Sequence, residues 1–265
     1  MLDGRPVRVV HLEAAFPLGD TGDPDRSAEL LDEALRRAHA SGHALAILVA
    51  PAGKADLERH GFRALPCSET ACRTFLPAPW PKEPAWLRAG ESALGLVPGL
   101  RHGRPEDIDD LAAIHTEEIA RQRLRIERGR GAWEQIFLAR GMPVRTRGAR
   151  DPFWVIERGG RVEAYVLLQA LPPTLRWREH GARRGAESLL ADLFWSVLGW
   201  ARQERLPRIE GWRMPEVLTL EPLYPTSTRR RKENLAMLKT LDPDSPEFER
   251  EDDCRLWELD LVPDD

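Results

Sequence analysis

Hydrophobic positions along the 265-residue chain change period several times, and each change marks an element. Residues 6–16, PVRVVHLEAAF, predict a strand. LGDTGDPDRS is turn chemistry. Beyond Ser27, the positions Leu30, Leu31, Ala34, Leu35 and Ala38 recur at helical spacing. Glu29 and Asp32 lie in or near the first turn, where negative charge complements the helix dipole, and Gly42 ends the helix. HALAILVA, 43–50, is a continuous apolar run of strand length, as expected of a buried strand. GKADLERH, 53–60, predicts a short helix. GFRALPCSETACRTFLP, 61–77, predicts a hairpin with CSET at its turn. Residues 78–96 are rich in Pro and Ala without a period and predict a linker, with Trp80 and Trp86 packing on a neighbour.

A second run of elements follows. LRHGR ends a strand, and PEDIDDLAAIHTEEIARQRL opens a helix with Pro105 in its first turn and acidic residues behind it. GAWEQIFLARG is a second helix. PFWVIERGGRVEAYVLLQAL, 152–171, predicts a hairpin turning at RGG and broken by Pro172–Pro173. A strand is expected over 174–179, then a turn, then a helix over roughly 186–203. RIEGWRM is a strand and PEVLTLEPLY a short helix; LAMLKTL and CRLWELDLV are two final strands.

The order strand, turn, long helix, strand, short helix, two strands thus occurs twice, over 6–77 and over 174–262. Repetition on this scale predicts tandem domains of one fold. The expected class is α+β, with α/β mixing: two mixed, mostly antiparallel sheets flanked by helices. The expected division is 1–78 for a truncated half domain, 79–96 for a linker and 97–265 for a complete domain.

Composition narrows the function classes. A net charge of −4 and a pI near 6.0 argue against nucleic-acid binding by bulk charge. No apolar run approaches the roughly 20 residues of a membrane helix, and no secretory leader is read at the N-terminus, so the expected location is cytoplasmic, with no membrane partner. Cys67, Cys72 and Cys254 form no CxxC pair, and the seven histidines include no HExxH, so no metal site is expected.

The stretch RWREHGARRGAESLL, from 176, joins a strand to a helix through Gly181, Arg183, Arg184 and Gly185. Unpaired N–H groups at a helix start form an anion site, and glycine admits a ligand to the backbone. Arginines there add charge-assisted contacts to phosphate. An ordinary connection with exposed arginines is the alternative that this turn leaves open.

The element order and these residues resemble the GNAT-type acyl-CoA N-acyltransferases. RPEDIDDLAAI resembles the family's first helix, GGRVEAYVLL its G-x-x-V-G-Y strand, and WELDLV its closing strand. EHGARRGAESLL is similar to its pyrophosphate loop, Q/R-x-x-G-x-G/A. In the first half, DRSAELLDEALRRAHASG and LERHGF look like the family's central helix and closing segment, while the acidic DTGDPDRS stands where the family has arginine and glycine. The resemblance implies a tandem arrangement with a degenerate first half. It implies acetyl-CoA as acyl donor, held near Arg178, His180, Gly181, Arg183, Arg184, Gly185 and Ala186. It further implies a small-molecule or peptide amine as acceptor, Glu179 as proton acceptor and Tyr224 as proton donor to the leaving thiolate. Tyr165 matches the family's G-Y strand, where the residue is structural. Two readings stay open: an N-acetyltransferase, or a non-catalytic protein of the same fold acting as a ligand-binding or interaction module. A homodimer is left open as well.

Overall fold

The computed structural model describes residues 8–12, 24–50, 54–65, 68–74, 83–120, 128–139, 153–212, 227–230 and 235–243. In chain order the strands are β1 (Val9–His11), β2 (Leu45–Ala50), β3 (Arg63–Ala64), β4 (Ser68–Arg73), β5 (Leu100–His102), β6 (Phe153–Arg158), β7 (Arg161–Leu171), β8 (Thr174–Ala182), β9 (Arg208–Trp212), β10 (Ser227–Arg230) and β11 (Leu235–Thr240). The helices are α1 (Pro24–Ala40), α2 (Lys54–Arg59), α3 (Ala85–Arg88), α4 (Ile108–Ile119), α5 (Arg130–Ala139) and α6 (Leu189–Gln203). No described helix is long and apolar enough to cross a membrane.

The chain divides into two compact units. The first holds a four-stranded sheet in the order β1-β2-β11-β3. Helix α1 places Leu31 and Leu35 in one core with Ala46, Leu48, Leu57, Phe62 and Met237. It ends as the sequence predicts: Gly42 adopts φ 77°, its N–H bonds His39 O at 2.8 Å, and the His43 N–H bonds Ala38 O at 3.0 Å. This is a Schellman closure, which needs the left-handed residue that glycine supplies without strain.

The second unit holds a seven-stranded sheet in the order β10-β4-β9-β8-β7-β6-β5. Helix α6 lays Leu190, Leu193, Phe194, Val197 and Leu198 onto one face, against Val166, Leu168, Leu175, Trp177 and Ile209. Helix α4 packs on β7 and β8. Arg101 in β5 pins the start of α4 through Asp107, at 2.8 and 2.7 Å, while its Nε reaches Glu157 at 2.7 Å.

Three sequence expectations need correction. The hairpin predicted over 61–77 does not form: β3 pairs with β11 and β4 pairs with β9, in different sheets. CSET is a sound local turn signal. The partner of each flanking strand is chosen instead by where its side chains bury, Phe62 with α1 and Cys72 with α6. LAMLKTL, expected in the second half, is β11 and lies in the first unit's sheet, between β2 and β3. Strand β8 runs to Ala182 rather than Glu179, because β7 continues to pair with it: His180 faces Val166, Gly181 faces Tyr165 and Ala182 faces Ala164. That ladder overrides the turn propensity of glycine. Helix α6 accordingly starts at Leu189. The described part of the expected linker carries α3, whose Leu87 is buried against α6, with Trp86 packed on the same core. CRLWELDLV and the PEVLTLEPLY helix lie outside the described residues.

Candidate functional site

The site is built on β8. Its parallel ladder with β9 runs from Thr174 opposite Arg208 to Trp177 opposite Gly211. Its antiparallel ladder with β7 runs on to Ala182, through a register shift. Leu168 faces Trp177 but Leu167 faces Glu179, so Arg178 is the extra, bulged residue. A bulge of this kind bends its strand and raises the local twist. The described pairing to β9 stops at the residue before it. Next to it, Gly181 is required by packing: a Cβ there would lie 2.7 Å from the Tyr165 ring and 2.9 Å from Ile114.

Beyond β8, residues 183–188 turn into α6, and Gly185 has φ 87°. The Arg183 N–H returns to the ladder, bonding Glu163 O at 2.8 Å. The Arg183 guanidinium donates to Asp110 Oδ1 at 2.5 Å and to Val162 O at 3.0 Å. The backbone N–H of Arg184 donates to Glu117 Oε2 at 3.1 Å, and Glu117 Oε1 lies 3.5 Å from Arg183 Nη1. Two carboxylates of α4 therefore sit over the turn. Ser188 makes no side-chain cap on α6.

On the other side of the bulge, Glu179 is buried at 3% exposure. Arg128 Nη1 donates to its Oε2 at 2.7 Å, and the Tyr165 hydroxyl donates to its Oε1 at 2.5 Å. Burial pushes this carboxyl up. The Arg128 and His115 charges, and hydrogen bonds from Tyr165 and Arg128, pull harder and hold it at about 2. Trp133, fully buried, meets His115 and Tyr165 edge-on and carries the Arg128 guanidinium 5.3 Å from a ring centroid. Its indole Nε1 has no hydrogen-bond partner among the described residues.

The predicted residues thus fall into groups. Arg183, Arg184, Gly185 and Ala186 share the turn. Arg178 and His180 are buried in β8, at 7% exposure each, and Gly181 is wedged against Tyr165. Glu179 stands in the Arg128 cluster, and Tyr224 lies outside the described residues. The sequence reading missed Arg128, His115 and Trp133 as neighbours of Glu179. His115 left a trace, lying on the stripe of α4 that also buries Ile108, Leu111, Ile114 and Ile119. Arg128 left none. Among the described residues no cluster could hold a metal ion.

No protein-family model matches the sequence, and no curated protein sequence matches it. Solved structures do match. A GCN5-related N-acetyltransferase from Kribbella flavida is similar over 92% of this chain and 56% of its own, with a TM-score of 0.60 and 13% identity. A conserved protein of unknown function from Enterococcus faecalis V583, a probable N-acyltransferase, gives 0.58 at 12% identity, over 92% of this chain and 57% of its own. This chain has the GNAT fold. N-myristoyltransferase from Saccharomyces cerevisiae with bound myristoyl-CoA is similar at a TM-score of 0.55 and 12% identity, over 95% of this chain and 69% of its own. The GNAT fold is here carried by a chain that spans a little over half the length of the two bacterial structures.

Proposed function

We propose that the protein transfers an acyl group from a CoA thioester to a primary amine, using the unit that contains β8. The observation carrying this reading is the end of β8: a parallel pair with β9 over Thr174–Trp177, a bulge at Arg178, and a glycine-bearing turn into α6. A bulged strand turns main-chain groups out of its ladder toward a pantetheine and an acyl carbonyl, and a helix start offers N–H groups to a diphosphate. Structures of the same fold include N-acetyltransferases and an enzyme with bound myristoyl-CoA, which supports a CoA-linked donor. We take acetyl-CoA as the donor.

In the reaction the amine nitrogen attacks the thioester carbonyl carbon, the C–N bond forms and the C–S bond breaks. The proton lost from the amine is balanced by one gained by the thiolate. Tyr224 is proposed to supply the latter. A carboxylate held at about 2 and already paired with Arg128 is a weak base, so water takes the proton from the acceptor's ammonium form, and Glu179 holds Arg128 and Tyr165 in place beside the bulge.

The non-catalytic reading has its own support, since Asp110 and Glu117 occupy positions over the turn that a diphosphate would need. Calorimetric titration of acetyl-CoA into the full chain and into Arg184→Ala decides between them. Micromolar binding, weakened by the substitution and followed by thiol release with an amine, supports the transferase. Undetectable binding at millimolar acetyl-CoA leaves the non-catalytic module.

A further inference from the structure

The two faces of the sheet at β7–β9 differ in kind. The face under α6 is dry: Val166, Leu168, Leu175, Trp177 and Ile209. On the opposite face β8 carries Arg176, with Gln169 beside it on β7 and Glu210 on β9 as its register partners. Arg208 joins them: Arg176 Nη2 lies 3.0 Å from Glu210 Oε1, and Arg208 Nη2 lies 2.8 Å from Glu210 Oε2. Past the bulge, Tyr165 and Glu179 continue this polar face. Polar groups gathered on a sheet face cost stability unless they are satisfied. Here they are not all satisfied: the Nε of Arg176, the Nε of Arg208 and Oε1 of Gln169 are buried without a partner among the described residues.

We propose that Arg176 and Arg208 form a binding site for a carboxylate. One glutamate between two arginines leaves a net positive charge, and each guanidinium keeps its Nη1 group for a ligand. The arginine side chains are 21% and 41% exposed, so their heads can be reached, while Glu210 at 10% stays beneath them. A carboxylate matches the planar fork of a guanidinium. Arg73, the register partner of Arg208 on β4, adds a further cation to this face. Arg176 and the bulge at Arg178, where the acyl carbonyl would lie, are two positions apart on β8, about 7 Å at roughly 3.3 Å per residue. A ligand with its amine several bonds from its carboxylate spans that distance. On the acyl-transfer reading, on which this last step rests, that ligand is the acceptor: an ω-amino acid, lysine or a short peptide.

The test uses matched pairs on the full chain: 6-aminohexanoate against pentylamine, and lysine against 1,5-diaminopentane. Binding is followed by calorimetry and by the shifts of the arginine Nε–H signals in NMR. The expected result is that the carboxylate-bearing member of a pair binds at least tenfold tighter. Arg208→Gln and, separately, Arg176→Gln should remove about tenfold of that preference, as expected when a hydrogen bond to a charged group is lost. Arg208 is the more exposed of the two, which keeps the test usable if Arg176→Gln fails to fold. Equal binding within each pair, no binding of either carboxylate up to 10 mM, or a preference unchanged in Arg208→Gln overturns the site. Thiol release from acetyl-CoA with the same compounds separates the two ideas. A carboxylate preference in binding without thiol release keeps the site and removes the transferase. Thiol release that ignores the carboxylate does the reverse.

Discussion

Strand β8 ends in two arginine–carboxylate contacts that differ in what surrounds them. Glu179 and Arg128 meet at 3% and 6% side-chain exposure, with Tyr165 and Trp133 packed around them. Glu117, over Arg183 and the Arg184 amide, is 44% exposed. The same chemistry therefore has opposite costs. Breaking the first strands a charge in a dry cluster; breaking the second hands a carboxylate back to water. A ligand arriving at this strand can displace Glu117 but must accommodate Glu179 as it stands.

The largest effect expected from this contrast is that of Arg128→Met, which leaves the Glu179 charge buried without its guanidinium, held by the Tyr165 hydroxyl. Chemical denaturation should show a loss of about 3–5 kcal/mol. The double substitution Arg128→Met with Glu179→Leu should recover most of it, since an apolar pair of similar volume has no charge to desolvate. If the double variant is no more stable than the single one, the loss came from packing and the contrast fails. Gly181→Val comes next. Its side chain would overlap Tyr165 and Ile114, at a cost of about 1–3 kcal/mol read as a lower melting temperature.

Acid provides a further handle. The Glu179 carboxyl is depressed in the folded state, so its stabilising contribution is complete above the ordinary carboxylate pKa of 4.5 and drains away as pH falls toward about 2. Denaturation midpoints measured from pH 6 down to 2.5 should fall steeply over the lower part of that range. The fall should be much shallower in the double variant. The smallest change in stability belongs to Glu117→Ala, less than about 1 kcal/mol. Its effect on ligand affinity should be larger. If the turn takes a diphosphate, removing the resident carboxylate should tighten CoA binding several-fold by calorimetry, and unchanged affinity would mean that Glu117 does not compete.

Most single elements were legible in the sequence because their information is local. The apolar stripe of α1, its closure at Gly42 and the RGG hairpin between β6 and β7 each follow from a few adjacent residues. The resemblance to GNAT proteins also rested on such stretches. Pairing partners were not legible. Nothing near LAMLKTL says that it belongs between strands laid down more than 170 residues earlier, because the choice depends on which core Met237 fills. The site was half legible for the same reason. Its glycine- and arginine-bearing turn could be read along the chain. The Arg128 clamp on Glu179 and the α4 carboxylates over the turn come from segments brought together only by folding.

The placement of β11 bears on how the protein is made. An emerging chain that has completed β1, β2 and β3 holds a sheet with its central member missing, and Ala46–Leu48 has no cover along one side until residues 235–240 leave the ribosome. Open strand edges of this kind recruit other chains. Residues 1–78 produced alone are expected to give no dispersed NMR spectrum and to precipitate, and supplying a peptide with the sequence of β11 in trans should raise the soluble yield.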